Sequence, residues 1–203
     1  MSETIDQSME GRSAGSPLAD PGAWAVTAFA TTSFVLGMYN AHLVSAGGAA
    51  IVIPIALFFG GVMQIIVAVL EVVRGNVFGA VVFGTYGPFW LIYGLIVQHY
   101  AATLAPASVT SALALFLAVF AVLTFYFFIA SLKTDAVLIV VFALVFLALV
   151  VLAIGLENGS TRMTEIGGWI TLVFAVIAWY HAAGDVISYT WGRTVLPMGK
   201  IKK

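Results

Sequence analysis

The chain has 203 residues, 62% of them hydrophobic and 8% charged, with a formal net charge of −1. A soluble domain carries about 25% charged residues, so this chain has too little polar surface to coat a soluble globule and reads as an integral membrane protein that partners a lipid bilayer. No basic block suggests nucleic acid, and the absence of cysteine excludes disulfides, thiol catalysis and cysteine-ligated metals.

Residues 1–19 are polar and carry Glu3, Asp6, Glu10 and Arg12. They read as a short disordered arm, without the basic start and short apolar core of a signal peptide. Beyond them, gaps between charges count the helices, because a membrane helix needs about 20 apolar residues. Asp20 to Glu71 encloses 50 uncharged residues, enough for two spans with a turn at "SAGGAA" (45–50). Arg74 to Lys133 encloses 58, two more spans, broken at "QHYAATLAPAS" (98–108). Pro106 falls near a helix start, where proline is tolerated. Asp135 to Glu157 encloses 21 and Glu165 to Asp185 encloses 19, one span each. The expected spans are 23–45, 51–73, 77–98, 108–131, 136–156 and 166–190. This gives an all-α fold, one six-helix domain over 20–199 and a basic tail at 200–203.

Six spans place both termini on one side. That side then holds Arg12, Arg74, Lys133, Arg193, Lys200, Lys202 and Lys203, and the other holds Arg162 alone. Lys and Arg concentrate on the cytoplasmic side, so both termini are expected to be cytoplasmic in a multi-pass protein of the cell membrane.

Polar groups at membrane depth must face partners or water. Span 1 carries Thr27, Thr31, Thr32, Ser33, Tyr39, Asn40 and His42. Its hydroxyls either bond back to the preceding turn or face a wet path. On span 2, Leu57, Gly60, Gly61, Gln64, Ala68 and Glu71 share one face, which fits either a helix contact or a pore wall. Span 3 holds "RGNVFGAVVFGTYGPFW" (74–90). Gly75 and Gly79 form a small-xxx-small pair. Pro88 removes a backbone donor and crowds the Gly84 carbonyl, so a kink or break is expected at 84–88. Gly79, Val82, Tyr86, Phe89 and Tyr93 form one stripe, either a packing ridge or a pore face. Spans 4 and 5 are almost purely Ala, Leu, Val and Phe and read as scaffold. On span 6, His181 and Asp185 are i,i+4 neighbours. They suit a structural pair or proton handling, and are too few for a metal site. No cofactor is implied.

Several strings match a known pattern in order and spacing: "FGGVMQIIVAVLEVVRGNVFG" (59–79), "TYGPFW" (85–90), "SLK" (131–133), "LAIG" (152–155), "GGW" (167–169) and "GRTVLPMG" (192–199). Over about residues 20–199 the chain resembles the YaaH-type acetate uptake transporter family. The resemblance implies six helices per protomer, a pore through each protomer, assembly as a homohexamer, and acetate, succinate or other short carboxylates as cargo. It places a pore constriction on Phe29, Tyr86 and Val145, the last usually leucine in the family. The family's polar positions fall on Thr32, Asn40, Gln64 and Glu71. Departures are "DPGAWAV" (20–26) in place of N-P-A-P-L-G-L, and Pro88 where a small residue is usual.

The expected function is therefore a channel or secondary transporter for short carboxylate anions, acetate first. Thr32, Asn40 and Gln64 would line a substrate vestibule, and the Tyr86 hydroxyl would donate to the solute at the neck. Glu71, His181 and Asp185 would be the groups to carry a coupled proton. A transporter of another small solute such as ammonium, or a non-transporting assembly or sensor protein, is the alternative. An enzyme is not expected: there is no G-x-S-x-G, H-E-x-x-H or paired membrane aspartates.

Overall fold

The computed structural model describes residues 18–201, so nearly all of the expected arm (1–19) and half of the basic tail (200–203) lie outside it. The described residues form helices α1 (Gly22–Asn40), α2 (Ala46–Arg74), α3 (Val77–Tyr100), α4 (Pro106–Ser131), α5 (Ala136–Glu157) and α6 (Thr161–Trp191). Among the described residues the β-structure is one isolated antiparallel bridge, Asp135 to Lys200.

Helix ends follow local chemistry. Asp20 Oδ1 accepts from the Gly22 N–H at 2.9 Å at the start of α1. Asn76 accepts from the Gly79 N–H, Asp135 from Leu138 and Ser160 from Met163, each covering donors that a first helical turn leaves free. Arg74 is followed by Gly75 at φ 75° and Trp191 by Gly192 at φ 65°, the left-handed stop that glycine adopts without strain.

Helices α2 to α6 are each long and apolar enough to cross a membrane. Helix α1, 19 residues or about 28 Å long, turns Ala25, Ala28, Thr32 and Ser33 inward. It packs on both α2 and α6, α5 joins α4 to α6, and α2 lies along α3. Valines and leucines such as Val72, Leu115 and Val122 face outward, as lipid requires.

Six helices stand where the six spans are expected, five of them long and apolar enough to cross a membrane, with three shifted ends. Helix α2 starts at Ala46 rather than 51, because the turn expected at "SAGGAA" (45–50) falls at 41–45 and residues 46–51 already form a 3-10 turn of helix. Helix α1 stops at Asn40 rather than 45, because the chain turns at His42, which adopts φ 56°. Helix α6 starts at Thr161 rather than 166, capped by Ser160, since a helix continues past the charges that bound its apolar part.

Two backbone expectations are corrected. The Gly75–Gly79 pair is not a helix-contact motif, because Gly75 is the stop of α2 and lies outside α3. The close approach is between Gly61 and Gly87 instead. A Cβ on Gly87 would stand 2.7 Å from Ile65 Cγ1 and 3.0 Å from the Gly61 carbonyl oxygen. The second correction concerns Pro88. Helix α3 runs unbroken through it as α-helix to Leu95, held by this contact on one side and by stacked rings on the other. The irregular backbone lies next door, in a π-helical stretch of α2, Ile55–Val62. Such wide turns occur preferentially at functional sites.

Candidate transport path

Two cavities lie end to end inside the bundle. The one opening on the side of the termini has a volume of about 430 Å³, and the one on the opposite side about 130 Å³. Three residues line both: Phe29 of α1, Tyr86 of α3 and Val145 of α5. Tyr86 and Val145 are each 3% exposed. The rings of Phe29 and Tyr86 lie 5.2 Å apart, and Phe29 stacks on Phe174 of α6 at 5.7 Å. The stripe seen on span 3 runs along this path. Gly79 and Val82 line the terminal-side cavity, Phe89 and Tyr93 the opposite one, and Tyr86 both.

The three residues expected to share a vestibule are not together. Asn40 lines the opposite-side cavity and Gln64 the terminal-side one. Thr32 lines neither. It is fully buried, donates to the Ala28 carbonyl at 2.8 Å, and packs its methyl where a Gly60 Cβ would stand, 2.9 Å away. Helix-to-helix packing accounts for it, as the small face of Gly60 demands. Gln64 Nε2 donates to the Gly60 carbonyl at 2.7 Å, and its buried Oε1 has no partner.

The Tyr86 hydroxyl, expected to donate to the solute, has a protein partner in this structure. Tyr86 Oη lies 2.7 Å from Thr124 Oγ1 on α4, and Thr124 Oγ1 lies 2.7 Å from the Phe120 carbonyl. A threonine hydroxyl has one proton, and a carbonyl can only accept. Thr124 therefore donates to Phe120, and Tyr86 donates to Thr124. The Tyr86 proton is thus committed within the protein, and its ring lines the junction of the two cavities.

At the terminal-side mouth, Arg74 bridges two carboxylates. Its Nη1 donates to Glu71 Oε2 and its Nη2 to Asp20 Oδ2, both at 2.9 Å. The link ties the start of α1 to the end of α2. Across the mouth, His181 Nε2 lies 3.2 Å from Asp135 Oδ2, while Nδ1 is 3.6 Å from Asp185 Oδ2. The i,i+4 pairing read from the sequence is present, but the nearer partner is Asp135, which also caps α5. Asp20, Glu71, Asp135 and Asp185 all line this cavity. Among the described residues no cluster of His, Cys, Asp and Glu could hold a metal ion.

Sequence reasoning missed Thr124, Asp135, Phe174 and Trp90. Two left a signal. Thr124 is the lone Ser or Thr between Ser111 and Ser131, and Asp135 stands directly before an apolar span, the place of a helix cap. Phe174 and the unpartnered Trp90 indole N–H left none, being rings in apolar helices.

A bundle of membrane-length helices enclosing two cavities that meet at an aromatic neck is the architecture of a membrane channel or transporter. The chain belongs to the GPR1/FUN34/yaaH family, whose pattern matches residues 8–200. It is 33% identical over 183 residues to the succinate-acetate/proton symporter SatP of Escherichia coli strain K12, covering 90% of this chain and 96% of that protein. It is 30% identical to ammonia transport outward protein 2 of Saccharomyces cerevisiae, covering 83% of this chain and 61% of that protein. Among solved structures it superposes on the bacterial acetate channel SatP with a TM-score of 0.84 at 34% identity, over 90% of this chain and 99% of that one.

Proposed function

We propose that this protein moves acetate and other short carboxylates across a cell membrane, through a path narrowed by Phe29, Tyr86 and Val145. The observation that carries this is the pair of cavities meeting at these three side chains. The likeness to an acetate channel and an acetate symporter supplies the cargo. An apolar neck favours a small solute with a methyl group over one that must keep its water. The working unit is a homohexamer with one path per protomer, and the Lys- and Arg-rich side that holds both termini is cytoplasmic.

Proton coupling fits the mouth. Four carboxylates line it, which opposes a bare anion, and a proton on the His181–Asp135–Asp185 cluster offsets that charge. Glu71 is the poorer carrier because Arg74 holds it. Uptake of radiolabelled acetate into liposomes containing the protein tests the proposal. Uptake above empty vesicles, rising with an inward proton gradient, is expected. Uptake equal to empty vesicles would sink the transport reading, and uptake indifferent to the gradient would sink the coupling. Tyr86→Ala should change the ratio of acetate to larger acids, and an unchanged ratio would remove Tyr86 from the neck.

A further inference from the structure

We infer that Thr124 is the positioning residue of the neck: it fixes the Tyr86 ring across the path and occupies the only polar atom that ring carries. The inference rests on the neck proposed above, and adds to it a residue that touches neither cavity.

The seam between α3 and α4 is where this matters. Helix α3 packs its glycine-rich face closely on α2, whereas it meets α4 mainly through side chains. Phe89 stacks on Phe116 at 5.1 Å and meets Phe120 edge-on at 4.9 Å. One helical turn away, Tyr86 meets Phe127 edge-on at 5.9 Å. Ring pairs accept more than one arrangement, stacked or edge-on, over centroid distances of about 4.5–7 Å, so they leave room for sliding. A hydrogen bond of 2.7 Å does not, since its energy falls steeply with angle and distance. Tyr86 Oη to Thr124 Oγ1 is the one side-chain hydrogen bond between these helices among the described residues.

The direction of the bond has two consequences. Thr124 is fully buried and its own proton goes to the Phe120 carbonyl, so the Tyr86 proton is the one shared between the two side chains. With Oη held on α4, the ring is fixed across the passage towards Phe29, and this sets the bore. With its proton committed, Tyr86 offers no donor to a passing carboxylate. The neck is then apolar to the solute, which passes without being held.

The test uses the full chain in liposomes, reading initial uptake of acetate and of butyrate as the larger probe. Thr124→Val keeps the shape and removes the acceptor; Tyr86→Phe removes the donor from the other side. Each should change the butyrate-to-acetate ratio several-fold, in the same direction and by the same factor. The double variant should match either single one, because one bond cannot be lost twice. Thr124→Ser restores the hydroxyl and should keep the wild-type ratio, an outcome that a mere packing role for the threonine methyl would not give. A wild-type ratio in Thr124→Val, a shift in Thr124→Ser as large as in Thr124→Val, or multiplying effects in the double variant would overturn the inference. If Thr124→Val fails to assemble, Tyr86→Phe alone decides, and a wild-type ratio there overturns it. Tyr86→Ala separates the two readings. An unchanged ratio in that variant defeats the neck itself, whereas a changed ratio there with an unchanged one in Thr124→Val defeats only the positioning role.

Discussion

Replacing Arg74 by methionine should destabilise the protein more than any other single change at the terminal-side mouth. Arg74 and Glu71 are 6% and 1% exposed, whereas Asp20 is 66% exposed. The two arms of the bridge are therefore unequal. An exposed arm contributes about 0–1 kcal/mol, so Asp20→Asn should be nearly silent. Removing the cation leaves Glu71 as a buried carboxylate without a charge partner, which costs about 3–5 kcal/mol. At 1.4 kcal/mol per factor of ten, that is a folded-to-unfolded ratio lowered by roughly two to three and a half powers of ten. Glu71→Gln should fall between the two, because Arg74 keeps Asp20 while Glu71 has Arg74 as its single ion-pair partner among the described residues.

The decisive comparison is the double variant. Arg74→Met with Glu71→Gln removes both charges, and should recover most of the stability that Arg74→Met alone loses. Denaturation midpoints of purified protein in one detergent, read by circular dichroism, measure all four variants. If Arg74→Met melts like Asp20→Asn, or if adding Glu71→Gln restores nothing, Arg74 is not what lets α2 keep the Glu71 charge buried. Glu71 would then return as a candidate proton carrier.

Other changes probe the packing and the path. Gly87→Ala places a Cβ 3.0 Å from two backbone atoms of α2, the Gly61 oxygen and the Ile65 nitrogen. It should cost about 1–3 kcal/mol as overpacking, seen as a lower midpoint in the same assay. Val145→Leu should narrow the neck and lower butyrate uptake more than acetate uptake; equal loss of both would argue that position 145 does not discriminate. Asp135→Asn keeps an oxygen to cap α5 and removes the charge facing His181. Its midpoint should move by less than about 1 kcal/mol, while acetate uptake loses its response to an inward proton gradient.

Which features were legible in the sequence follows from what determines them. Span number came from charge spacing, because charges are excluded from lipid whatever the tertiary structure. Tyr86 stood out as a hydroxyl in a ring-rich span. Its partner did not, because pairing it with Thr124 requires the depth and rotation of α4 relative to α3, which no periodicity within either helix contains. The fate of Thr32 was likewise open. A buried threonine can bond its own helix or face a cavity, and Gly60 on the neighbouring helix decided between them. Pro88 misled for the opposite reason. The rule that proline breaks a helix considers one chain segment alone, and here the contact of Gly87 with α2 holds the segment straight.

The same accounting bears on how the path treats its cargo. The hydroxyls of Thr27, Thr31, Thr32, Thr124 and Thr171 all donate to carbonyls of their own helices, and Gln64 Nε2 does the same. Trp179 Nε1 is taken by Thr31 at 3.0 Å, and the Tyr86 proton by Thr124. Of these groups Thr171, Gln64 and Tyr86 line the path, and each already gives a proton to a neighbour. A carboxylate needs donors in order to be held, so on the proposed path these three positions give it little hold. Shallow wells suit rapid conduction, since a solute must leave as readily as it enters. On the proposed path, selection then falls to the bore and apolar surface of the neck, and the Thr124 oxygen that takes the Tyr86 proton becomes a point of control over what passes.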